Sequence, residues 1–435
     1  MASGQGALAE PGRRVVAVAD FQRAAPERHD RIDLERVRSR LEQLFALGAP
    51  PHANRPGLSA DEQAAIEMAA SWMVQAGLDV DTDAFGNLFG RLPGTRPELP
   101  EVWTGSHLDT VPAGGRFDGA LGVVVGIEAL GALAGAGAGA RTLAVVSFRD
   151  EEGWRFGGGT FGSRGICGRV RSDELDHRDR AGVTLRAALQ QLGLGASAPG
   201  DPGQLPGAFV ELHIEQGPVL AAAEHALGCV TAIVGMVGGE VVIEGRAGHA
   251  GTTPMSHRTD ALVAAAHVIT ALTRASGIPD AVATVGAIEA EPGASNVIAA
   301  QAILSLDLRA PDDAGLDALV EAVEEAMATA TARTGCRCRL RGLWRQPPIA
   351  TSPEVRAAIL AGADRCGESI RPISSGALHD AAVLAQAGVR TGMIFARSNA
   401  GGVSHSPQED TDPAAILAAA HLLTHTLQIL ATDQA

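Results

Sequence analysis

The sequence predicts an α/β protein: a mostly parallel sheet covered by helices, with an α+β unit inserted into it. Three observations carry this reading. Short apolar segments alternate with segments of helical periodicity through the first half of the chain. Histidines and carboxylates stand just past the ends of those apolar segments, where open α/β sheets bind their ligands. Around Gly235 the order changes to strand, helix, strand, strand, helix, strand, which is the ferredoxin-like unit.

Residues 1–31 mix Gly, Ala, Pro and charges without a period, and they read as a flexible arm. Leu34, Val37, Leu41, Leu44 and Phe45 then recur at helical spacing, which predicts a helix over 32–47. A second helix fits 60–76, opened by Ser59 as N-cap and stopped by Gly77. Strands follow over 78–83, 88–91 and 102–106, then a helix over 119–134 and a strand over 143–149. A helix over 184–192 and a strand over 208–213 continue the alternation.

In the inserted unit, strands are predicted over 239–245, 283–289, 297–309 and 336–343, with helices over 259–276 and 314–334. Pro347-Pro348 marks the return. A helix over 353–366, a loop and helix over 374–387, a strand over 390–395 and a helix over 413–431 complete the chain. The implied division is a catalytic part over 1–233, an inserted unit over 234–343 and a second catalytic part over 344–435.

A chain of 435 residues, 46% of them hydrophobic, can bury more than one core. Its net charge of −15 speaks against nucleic acid or an anionic membrane surface as partner. Five scattered cysteines make no disulfide framework. Cys336 and Cys338 lack a second Cys or His pair nearby and read as strand neighbours, not as half a zinc site. With no uninterrupted apolar run of about 18 residues and no signal peptide, no membrane span is expected and the cytoplasm is the default location.

The chemistry lies in Gly105-Ser106-His107-Leu108-Asp109-Thr110, Phe117-Asp118-Gly119 and Arg149-Asp150-Glu151-Glu152-Gly153. Taken singly, these are ordinary. A His-x-Asp pair usually marks a surface turn, a Glu-Glu pair a solvated helix start, and His405 a residue of a Ser-rich surface loop. Jointly they differ, because His107, Asp118, Glu152, His213 and His405 all fall at or beyond predicted strand ends. Imidazoles and carboxylates converging there suit a metal better than a packed core. The chain reads as a metallohydrolase.

Five strings then carry a family resemblance: Gly105 to Val111, Glu151-Glu152-Gly153, Leu212-His213-Ile214-Glu215-Gln216-Gly217-Pro218, Gly248-His249-Ala250-Gly251-Thr252-Thr253-Pro254-Met255 and Ser404-His405-Ser406-Pro407. In content and order they resemble the amidohydrolases that cleave ureido groups. These are the N-carbamoyl-L-amino acid hydrolases, allantoate amidohydrolases and β-ureidopropionases, within a larger set of dinuclear metallopeptidases. The resemblance implies an aminopeptidase-like, three-layer catalytic domain and makes the inserted unit a lid and dimerisation domain. It implies two divalent ions (Zn, Mn, Co or Ni) bridged by Asp118, one completed by His107 and His213, the other by Glu152 and His405. Asp109 would orient the His107 imidazole, and Glu151 would be the general base.

Arg309 matches the position that holds a substrate carboxylate, a task suited to a planar guanidinium. Gln216, Asn296 and His249 match positions around the ureido group, His249 as donor to its oxygen, with Gly376 offering backbone contacts. His379 and Asp380 match supporting positions. The chain departs from the pattern at Gly248, where Asn is common, and in the loop from Ala396 to Gly402. The expected reaction is hydrolysis of the ureido C–N bond of an N-carbamoyl-L-amino acid, with allantoate as the alternative substrate, by a homodimer. A dipeptidase, an N-acyl amino acid deacylase and a non-catalytic scaffold are the competing readings.

Overall fold

Val102–His107 is buried at every position, so both of its faces must be covered, as in a parallel sheet between helices. Leu143–Phe148 and Ala208–Ile214 flank it in parallel, and Arg390–Ala396 runs parallel beside Ala208–Ile214. Antiparallel strands extend this centre: Leu88–Leu92 and Asp79–Thr82 on one side, Leu227–Ile233 on the other. The computed structural model describes residues 31–48, 54–137, 139–195, 204–273 and 277–432. The arm expected over 1–31 therefore lies, but for Arg31, outside the described residues, as does the end of the helix predicted to reach Ser276.

Helix Ala120–Ala136 is almost wholly buried and apolar but for Glu128, which accepts Arg36 Nε at 2.9 Å, as suits a helix enclosed by other elements. It packs on the parallel strands, with Leu34–Phe45 and Pro413–Leu430 against it and Pro353–Cys366 against the latter. Ridges of Val102, Val145, Val210 and Leu212 join that core. Among the aromatics, Phe89 meets Trp103 edge-on at 4.9 Å, and Phe148 meets Phe209 at 5.9 Å. Pro413–Leu430 has the length and hydropathy of a membrane span. Its Ala415, Ile416, Ala419, Leu422, Leu423 and Leu427 are nevertheless buried in the protein core.

The chain divides into two compact units. The first ends at Thr231 and takes up again over Thr351–Ile373 and from His379; the second is Ala232–Ala350 with Ser374–Leu378. In the second, Arg337–Gln346, Gly235–Glu244 and Gln301–Ala310 form an antiparallel sheet in that order, extended by Ile288–Glu291 and Val282–Thr284. Helices Ala261–Leu272 and Asp313–Thr334 pack on each other and on the sheet, through Val268, Leu272, Leu304, Leu316 and Val323.

Some elements differ from the sequence reading. The strand expected over 283–289 is broken in two, because Ala287 turns its N–H to the Ser305 hydroxyl at 2.8 Å. The strand expected from 297 begins at Gln301, and Val297–Ile298 pairs instead with Gly248–His249. Leu227–Ile233 and Ile370–Ser375 are strands that the sequence reading leaves out. Pro372 hides the second, since a proline is expected only where a strand lacks a neighbour for its N–H.

Candidate metal centre

Four adjacent parallel strands end at one edge of the first unit's sheet, and they or the loops that leave them carry the candidate ligands. Val102–His107 ends on His107, and Leu143–Phe148 leads into Arg149-Asp150-Glu151-Glu152. Ala208–Ile214 bears His213, and Arg390–Ala396 leads into the loop of His405. The parallel register sets Thr104 opposite Val210. Three residues on, it brings His107 beside His213, with ring centroids 6.1 Å apart. Asp118 arrives just before helix Ala120–Ala136. Gly119 follows it at φ +63°, and a Cβ there would lie 2.4 Å from the His107 ring, so the close approach requires glycine.

Asp118 is the centre of the cluster. Its Oδ1 lies 3.1 Å from His213 Nε2 and 3.6 Å from His107 Nε2, and its Oδ2 3.3 Å from His405 Nε2. His405 Nε2 is also 3.5 Å from Glu152 Oε2. Two groups result, His107-Asp118-His213 and Asp118-Glu152-His405, each with donor atoms within 4.8 Å of one another. Glu151 stands beside them, its Oε2 3.7 Å from His107 Nε2.

The histidine hydrogen bonds suit ligation. His107 Nδ1 faces the Asp109 main-chain oxygen at 3.2 Å and its Oδ1 at 3.4 Å, and His213 Nδ1 faces Ile214 O at 3.0 Å. Both rings thus carry a proton on Nδ1 and turn Nε2 to the cluster. Burial opposes charge on His107, yet Glu151, Asp109 and Asp118 raise its pKa well above the usual imidazole value. Burial pushes Glu151 well up, and Glu152 up to about 7, with neighbouring carboxylates adding to both. Asp118 goes the other way despite its burial, held low by His107, His213 and His405. This field favours positive charge among the carboxylates, and a mixed imidazole and carboxylate donor set fits divalent metal ions.

The turn after Leu143–Phe148 is clamped from behind. Asp150 takes φ +49°, a costly backbone for a side-chain-bearing residue. Its N–H is accepted by Glu62 Oε1 at 3.1 Å, and those of Glu151 and Glu152 by the two Asp109 oxygens at 3.0 and 3.1 Å. Glu62 Oε2 also accepts Arg149 Nη1 at 2.8 Å and the Leu58 N–H at 2.7 Å. Arg55, fully buried, donates to Leu108 O at 2.8 Å in the neighbouring turn that follows Val102–His107. Gln216 and His405 share the left-handed backbone, at φ +55° and +52°.

Sequence reasoning missed Glu62, Arg55 and Glu409, and gave Ser404 no role beyond its place in a motif. Glu62 stands three residues after the N-cap Ser59, a spacing that reads as a helix cap and masks its longer-range partners. Gln216, expected at the substrate, donates Nε2 to Asp118 Oδ2 at 2.9 Å and to Ser404 Oγ at 3.1 Å. His379 lies edge-on to His213, with centroids 4.7 Å apart, and Asp380 accepts the Ser163 hydroxyl at 2.5 Å.

The remaining candidates belong to the second unit. His249 and Asn296 meet where Ala250 N–H donates to Asn296 O at 3.0 Å. His249 Nδ1 accepts the N–H groups of Gly251 and Thr252, at 3.0 and 3.2 Å. Its neutral ring must then carry the proton on Nε2, opposite to His107 and His213, which makes Nε2 a donor. Arg309 grips Asp307 with Nε and Nη2 at 2.8 and 2.9 Å and donates Nη1 to Gly376 O at 2.8 Å.

Residues 103–429 match the model of peptidase family M20/M25/M40. An N-carbamoyl-L-amino acid amidohydrolase of Geobacillus stearothermophilus is 38% identical, over 92% of this chain and 99% of that protein. An allantoate amidohydrolase of Bacillus subtilis (strain 168) is 36% identical, over 85% of this chain and 90% of its own length. An amidase of the hydantoinase/carbamoylase family from Burkholderia multivorans has a similar solved structure. Its TM-score is 0.86 at 34% identity, covering 93% of this chain and 99% of that one.

Proposed function

This chain belongs to peptidase family M20/M25/M40, and on that premise we propose that it hydrolyses the ureido C–N bond of an N-carbamoyl-L-amino acid. The reaction consumes one water and yields the amino acid, ammonia and carbon dioxide. The observation that carries this reading is the pair of metal-type groups sharing Asp118, with Glu151 beside them.

His107, Asp118 and His213 would hold one divalent ion, and Asp118, Glu152 and His405 a second, drawn from Zn, Mn, Co or Ni. Bound there, such ions polarise a carbonyl and lower the pKa of water. Glu151 takes the proton of the attacking water and passes it to the departing nitrogen. Asp109 keeps Glu151 and Glu152 in place through their main-chain N–H groups. His249, with its proton on Nε2, donates to the ureido oxygen as negative charge develops. Arg309 receives the substrate carboxylate in place of Asp307, while Gln216 and Asn296 contact the ureido group and Gly376 supplies backbone contacts.

The second unit acts as a lid over 234–343 and pairs with its copy in a homodimer. Exposed Val282 and Ile288 on its short edge strands, and Leu262 and Val263 on its first helix, support that pairing. Allantoate is the second substrate reading, favoured by the Bacillus subtilis relative. One panel tests the function: ammonia release from N-carbamoyl amino acids and allantoate, beside amine release from dipeptides and N-acetyl amino acids. Ammonia from the ureido substrates is expected. Turnover confined to dipeptides or N-acetyl amino acids would overturn the assignment.

A further inference from the structure

Glu409 lies four residues past His405 and is only 1% exposed, yet it is in neither metal-type group. Its Oε1 accepts the main-chain N–H of Phe117 at 2.6 Å and that of Asp118 at 3.1 Å. Its Oε2 accepts the Ser404 hydroxyl at 2.8 Å. Ser404 Oγ also stands 3.2 Å from Asp118 Oδ2 and accepts the Gln216 side-chain N–H at 3.1 Å. A serine hydroxyl has one proton to give. While Glu409 takes it, Asp118 Oδ2 keeps that lone pair. The glycine at 115 makes the arrangement possible, since a Cβ there would lie 2.1 Å from the Glu409 carboxylate.

The geometry points to Glu409 as a positioning residue that holds the Asp118 main chain and the His405 loop in one frame, so that Asp118, Glu152 and His405 can take their ion. This role rests on the two-ion reading of the site. His107 and His213 are set by buried strands of their own, whereas His405 is carried by a loop and has a half-exposed side chain. Loss of the Glu409 contacts therefore falls chiefly on the second group.

The test titrates the metal-free full-length chain with Co²⁺ alone, reading visible absorption and bound cobalt per chain. The unaltered chain takes up two ions. Glu409→Ala takes up the first as before and the second about 10- to 100-fold more weakly, the usual cost of losing a residue that supports a ligand. Glu409→Gln restores most of the second, because its oxygen still accepts both N–H groups. Gly115→Ala keeps the carboxylate but crowds it out of place, and weakens the same ion.

If Glu409→Ala and Gly115→Ala bind both ions like the unaltered chain, the role is overturned. Equal loss of both ions, or a Gln variant as weak as the Ala variant, overturns it too. If Glu409→Ala does not fold, the Gln and Gly115→Ala titrations decide. An unaltered chain that binds no Co²⁺ overturns the two-ion reading itself, and the role of Glu409 with it.

Discussion

Asp109 holds Glu151 by its main chain: Oδ1 of the one accepts the N–H of the other at 3.0 Å, while Oδ2 takes the next N–H, that of Glu152. One carboxylate thereby sets both the proposed base and a proposed ligand, and its own main-chain oxygen faces His107. An amide cannot repeat this, because it has a single accepting oxygen. Asp109→Asn is expected to weaken metal binding by about 10- to 100-fold. Turnover at saturating metal should fall as well. Metal titration with steady-state kinetics checks it, and unchanged values would show that the contact is incidental.

Prolonged chelation should abolish activity, and Mn, Co, Ni or Zn should restore it. Asp118→Ala should lose both ions, since both groups use it, and His405→Ala chiefly one. Metal analysis of the purified variants decides between shared and separate sites.

Glu151→Gln should keep the fold and the bound metal yet lose about 10²–10⁴-fold or more in turnover, the range for removing a general base. A rate close to the unaltered enzyme would assign the proton transfer to another group.

Glu62 and Arg149 form a buried ion pair at 2.8 Å, and Arg149 also donates to Gly86 O at 2.9 Å and to Gln63. Removing one partner leaves the other charge buried and unmatched. Arg149→Met should therefore destabilise the first unit by about 3–5 kcal/mol, read from denaturant unfolding. Glu62→Leu combined with Arg149→Met should cost less than the sum of the two single changes. A double variant that costs the full sum of the two single changes would refute that coupling.

If His249 serves the site of the partner in a homodimer, two inactive chains can complement each other. Mixing His249→Ala with Glu151→Gln after subunit exchange should return part of the activity, because each mixed dimer holds one site with both residues. Mixed dimers that form and stay inactive would place His249 in its own chain's site or outside catalysis.

Most helices were legible from periodicity, and the central strands Val102–His107, Leu143–Phe148 and Ala208–Ile214 from the short apolar stretches that open them. The candidate ligands were legible one at a time, by residue type and position after a strand. Leu227–Ile233 and Ile370–Ser375 were not, since neither alternates clearly and Pro372 interrupts the second. The clamp under Asp150 was invisible for another reason: Glu62 is 88 residues away and looks like a cap.

By itself the sequence determined the element types and the donor chemistry, since each depends on a local period or on the side chain a position carries. The tertiary structure decided which groups share Asp118, which nitrogen of each histidine is turned to them, and which carboxylates serve only to hold others. Strand register and loop closure set those relations, across separations as long as the 291 residues between Asp118 and Glu409. No local pattern encodes a contact of that range; it exists only once the sheet has brought its four strand ends to one edge.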